Sequence, residues 1–114
     1  MGQAGRPVCR KSFARIYAGL PATMPTTYAG RFAVAKLVAP LEQQDLSNLE
    51  AIRAARTPAI ERALAALRAD LQEAQKALAS TGDTAAFTRL YTTWQNDQAA
   101  PKAFSAAGVP ACAG

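Results

Sequence analysis

Residues 56–97, RTPAIERALAALRADLQEAQKALASTGDTAAFTRLYTTWQND, decide the fold. Thr57 has a side-chain oxygen suited to an N-cap, and Pro58 follows at the first helical position, where a missing N–H costs little. From there Ile60, Leu64, Leu67, Leu71, Ala74 and Leu78 recur at alternating intervals of four and three residues. That is the spacing of a helix lying lengthwise against a neighbour. Gly82 supplies a stop and Asp83 the next N-cap. Beyond it Phe87, Leu90, Tyr91 and Trp94 share one face, and the pattern runs on to Phe104. Helices over 58–80 and 84–107 would each measure about 35 Å at 1.5 Å per residue. Joined by so short a turn, they must form an antiparallel hairpin. Pro101 is expected to bend the second helix or split off its last turn, before Gly108 and Pro110 end it.

Upstream, Thr26 or Thr27 would cap a helix over 26–56 whose apolar stripe begins with Tyr28, Phe32 and Ala35. Pro40 should kink or break it, since proline removes an amide donor and crowds the preceding turn. The pattern then resumes with Leu46, Leu49 and Ile52 inward. Earlier still, Phe13, Ile16, Tyr17 and Leu20 stand at i, i+3, i+4 and i+7. They define a one-faced helix over 10–20, with Lys11 and Arg15 off the stripe. Residues 1–8 are expected to be flexible. The expected fold is a single all-α domain over 1–114, an up-and-down antiparallel helical bundle of about four helices.

An even number of helices returns both termini to one end of such a bundle. Cys9 and Cys112, the two cysteines of the chain, would then lie side by side. A disulfide there closes a loop of about 100 residues, worth roughly 4–5 kcal/mol on the chain-entropy account. It would matter here, because 28 of the 114 residues are alanine. Alanine favours helix but fills little space. The alternative is a pair of unrelated thiols in a cytoplasmic protein.

The net charge of +5 is unevenly placed. Residues 1–40 contain Arg6, Arg10, Lys11, Arg15, Arg31 and Lys36 and no acid. Such a basic third would attract an anionic membrane surface, a nucleic acid or an acidic partner, or would simply be a solvated face. The most apolar run, FAVAKLVAPL, is half the length of a membrane span and contains Lys36, so no transmembrane segment is expected. The opening MGQAGRPVCRK lacks the apolar core of a signal peptide, so an exported form would have lost its leader. Arg6 stands where the myristoylation pattern wants Ser or Thr.

An early Cys before a helix, the RTPAIERALAALRADLQEAQKAL run, a TGD turn and a closing AFSAAGVPAC together make a pattern. It resembles small secreted or lipoprotein-type, alanine-rich helical domains of high-GC bacteria. The resemblance implies an extracytoplasmic or secreted place and a disulfide, but no reaction. In a lipoprotein Cys9 would instead be acylated, though the preceding GRPV lacks the small residues of a lipobox.

The chain has no histidine, which removes the commonest general base and most zinc sites. It has no glycine-rich phosphate loop. Glu42, Asp45 and Glu50, and likewise Asp70 and Glu73, read as ordinary solvated helix faces. No catalytic residue, metal or cofactor is expected, and the chain reads as not an enzyme. Phe87, Tyr91 and Trp94 would form either an aromatic wall for an apolar ligand, with Tyr28 or Tyr17 opposite, or simply the hairpin core. Asp97 continues their stripe at a position otherwise buried, where it would meet Arg53 or Arg56 or mark an open bundle end. Three functions follow. The first is a structural or interaction module with a protein partner, such as an accessory subunit of an envelope assembly. The second is a carrier or sensor of a small apolar ligand. The third is a weak anionic-surface or nucleic-acid binder using Arg6, Arg10, Lys11 and Arg15.

Overall fold

The computed structural model describes residues 2–54, 56–80 and 82–113. They form helices α1 (Gly2–Gly19), α2 (Tyr28–Glu50), α3 (Pro58–Ala79), α4 (Thr84–Asn96) and α5 (Ala99–Ala106), then a 3-10 turn at Pro110–Cys112. No strand occurs among the described residues. Three helix starts are capped by side chains. Thr27 Oγ1 accepts from the Gly30 N–H at 3.1 Å, Thr57 Oγ1 from Ile60 at 3.2 Å, and Asp83 Oδ1 from Ala86 at 3.0 Å.

Helix α3 is the central element, packed on α2, α4 and α5. Its Ile60, Leu64, Leu67, Leu71 and Ala74 are all buried, as their spacing requires. Phe87, fully buried on α4, meets Tyr28 edge-on at 4.9 Å between centroids and Phe32 at 6.1 Å. These rings fill space that the alanines leave.

Helix α2 runs unbroken through Pro40. The carbonyl that Pro40 leaves without its amide belongs to Lys36, and both residues are exposed, so water can satisfy it. The helix ends at Glu50 rather than near 56. Arg56 folds back over that end, donating from Nη1 to the carbonyls of Glu50 (3.3 Å) and Ile52 (3.1 Å). Its Nε pairs with Glu61 at 2.7 Å.

Helix α1 starts at Gly2, well before residue 10, despite containing Pro7. It is also turned relative to the expected stripe. Gly5, Cys9 and Ser12 are buried, Phe13, Ile16 and Leu20 are half-buried, and Tyr17 is 62% exposed. The bridge explains the rotation, since Cys9 must face Cys112. The expected helix over 84–107 breaks at Asp97 and Gln98, before Pro101. Pro101 thereby falls in the first turn of α5, where its missing N–H would be unbonded anyway. Helix α5 ends with Gly108 at φ +79°. Val109 N–H bonds back to Phe104 O at 2.9 Å, and Gly108 N–H to Ser105 O at 3.1 Å, a Schellman closure.

Cys9 and Cys112 form a disulfide, with their Cα atoms 5.1 Å apart, so the two ends of the bundle chain are joined. Among the described residues α1 packs on α2 and on the terminal turn, and not along α4 or α5. The bundle is therefore stapled at one end and open between its first and last helices. That opening holds a cleft.

Candidate functional site

The opening is a cleft of about 250 Å³. Its walls are apolar: Phe13, Ile16 and Tyr17 from α1, Val38 from α2, Leu67 from α3, and Trp94, Ala100 and Phe104 from the α4–α5 side. Cys112 and Ala113 line it at the stapled end. Its polar groups are mostly of one kind. Glu42 and Asp45 on α2, Asp70 on α3 and Asp97 at the end of α4 all line it, together with Gln95. No Lys or Arg does so among the described residues. In a protein of net charge +5, five of eight acids (these four and Glu73) gather at one place.

Local helix geometry assembles the cluster. Glu42 and Asp45 are three residues apart on α2, and Asp70 and Glu73 three apart on α3, so each pair shares a face. Glu42 lies against Asp70. Carboxylate oxygens of Asp70, Glu73 and Asp97 lie within 4.8 Å of one another. Trp94 Nε1–H donates to Asp70 Oδ2 at 3.2 Å. Asp97 owes its place to the break between α4 and α5, where its Oδ1 accepts from Ala99 N–H at 2.9 Å. It meets Glu73 rather than either arginine suggested by the sequence.

Glu42 and Asp45 are each only 7% exposed, and Glu42 Oε1 and Asp45 Oδ1 are buried without a hydrogen-bond partner. Glu73 Oε2 is in the same condition. Burying charge without compensation is costly, and these groups respond by holding protons. Burial first, then the neighbouring Asp70, pushes Glu42 up to about 10. Burial alone raises Asp45 to about 6. Burial and then Asp97 raise Glu73 to about 7, against a smaller opposing effect of Lys76. Burial thus favours the protonated, neutral form of Glu42.

This corrects the expectation of a solvated carboxylate face. Helix α2 is covered on one side by α1 and on another by α3, so positions flanking its main stripe are buried too. Glu50, nearer the helix end, does behave as expected and pairs with Arg68 at 2.9 Å. The suggested aromatic wall divides. Phe87 and Tyr91 belong to the core beside Tyr28 and Phe32, while Trp94 lines the cleft with Tyr17. Arg6, Arg10, Lys11 and Arg15 are all exposed on α1, and Arg15 donates to Gln44 Oε1 at 2.9 Å. Lys11 and Arg15 border a second groove of about 280 Å³ between α1 and α2, to which Asp45 also contributes.

No helix among the described residues is long and apolar enough to cross a membrane. Compared with protein-family models, curated proteins and solved structures, the chain matches none, and the chemistry of the cleft is read from its own residues.

Proposed function

We propose that the protein is a non-enzymatic binding module, a carrier or sensor, whose cleft takes up a small organic cation with an apolar body. The observation that carries this reading is Glu42: a nine-tenths buried carboxyl, with an oxygen lacking any partner, at the wall of an apolar cleft without a basic side chain. An ammonium group would supply the missing donors, and the aromatic walls would cover its hydrocarbon part. The carrier reading of the sequence is thus favoured over an assembly subunit, with the ligand cationic rather than purely apolar. The disulfide is compatible with an extracytoplasmic or secreted protein.

The test is a titration of the oxidised protein with hexylamine and with hexanol, followed by calorimetry and by the fluorescence of Trp94, the sole tryptophan. The amine should bind roughly 10- to 100-fold more tightly, as expected for a hydrogen bond to a charged group in a buried site. Equal binding of amine and alcohol would exclude the cation reading and restore an apolar ligand.

A further inference from the structure

We infer that the cation is a linear aliphatic diamine or polyamine, held by one ammonium group at each end of its chain. This deepens the cation reading above and rests on it. The carboxylates form a connected series, and Glu42 and Asp45 are not among the three whose oxygens lie within 4.8 Å of one another. Glu42 and Asp45 make one group, and Asp70, Glu73 and Asp97 the other, with Asp70 touching both. One ammonium has three N–H donors and can satisfy only one of these groups. A monoamine at Glu42 would leave Asp70, Glu73 and Asp97 crowded, with only the weaker effect of Lys76 to oppose them. A divalent metal ion at those three would have the opposite defect. It would leave the unpartnered oxygens of Glu42 and Asp45 buried, and the apolar cleft of about 250 Å³ unfilled.

A flexible chain with a charge at each end meets both demands. One ammonium donates to Glu42 and Asp45, the other to Asp70 and Asp97, which both line the cleft. The methylenes between them lie against Trp94 and Phe104. Trp94 also orients the second end, because its indole N–H fixes one oxygen of Asp70 and leaves the other for the ligand. The end nearer Glu42 must displace its proton, so uptake of the diamine releases protons near neutral pH.

The experiment uses the full oxidised chain at about pH 8, where alkylammonium groups remain charged. Butane-, pentane-, hexane- and octane-diamine, spermidine, hexylamine, and the chlorides of magnesium, calcium and manganese are each titrated by calorimetry, with Trp94 fluorescence as a second readout. The inference expects one diamine length to bind best, roughly 10-fold or more above hexylamine. Asp97→Asn keeps the oxygen that caps Ala99 while removing the charge at the second end. It should bring the best diamine down to the level of hexylamine. Diamines no tighter than hexylamine at any length would overturn the diamine inference while the cation reading stands. So would a metal ion that binds more tightly than every diamine. Failure of every amine and every metal would overturn the cation reading itself.

Discussion

At Glu42 the protein gives up stability to keep a carboxyl out of water. The sign of its pH dependence follows from linkage. Its folded pKa stands above the ordinary 4.5, so between 4.5 and the folded value the native state binds more protons than the unfolded chain. Stability is therefore greatest at the acid end of that window and falls as pH rises through it. Asp45 (3.8 to about 6) and Glu73 (4.5 to about 7) act in the same direction. The charged groups around Glu42 are Asp45 on its own helix and Asp70 and Glu73 on α3, with Asp97 and Lys76 acting through Glu73. In thermal unfolding without ligand, Tm should be higher at about pH 5 than at about pH 8. Glu42→Gln keeps the shape and removes the titration, so it should raise Tm at the higher pH and flatten the profile. A wild-type Tm that climbs steadily over this range would contradict the burial of these groups. Saturating diamine should have the same flattening effect as the mutation, since it replaces the proton with a fixed cation.

Among the helices, α3 carries the largest share of the core. Leu64, 1% exposed, faces its partners, whereas Arg68 four residues on makes only a solvent-exposed ion pair with Glu50. Leu64→Ala should cost about 2–5 kcal/mol in chemical denaturation, and Arg68→Ala about 0–1 kcal/mol. Similar losses at both positions would mean that α3 presents a different face. How legible each element is in the sequence depends on whether local chemistry or tertiary contact determines it. The starts at Thr57 and Asp83 and the stops at Gly82 and Gly108 are local signals, and the structure uses each of them. The start of α1 is not legible, because Gly2, Gly5 and Pro7 are poor helix formers, and its anchoring is tertiary, through the bridge at Cys9 and the burial of Gly5. The end of α2 depends on the side chain of Arg56, several residues downstream. The site is hidden for a related reason. Periodicity assigns each helix one buried face, and α2 has two. Asp97 is the one member of the cluster that shows its oddity in the sequence, as an acid on the stripe of Phe87, Tyr91 and Trp94.

For the molecule as a whole, stability and site share one covalent link. Reducing Cys9–Cys112 opens a loop spanning a separation of 103 residues, which should cost roughly 4–5 kcal/mol on the chain-entropy account and lower Tm markedly. Because Cys112 also lines the cleft, reduction should weaken ligand binding at temperatures where the reduced bundle is still folded. Calorimetric titration with and without reductant would check this, and unchanged affinity would show that the staple and the cleft are independent. The position of the bridge has a mechanical consequence as well. If either end of this chain is tethered to a surface or a larger assembly and pulled against the other, tension enters at Cys9 or Cys112 and leaves across the sulfur–sulfur bond. It bypasses the hundred residues between them, so of the helices only the part of α1 before Cys9 carries load until that bond is reduced.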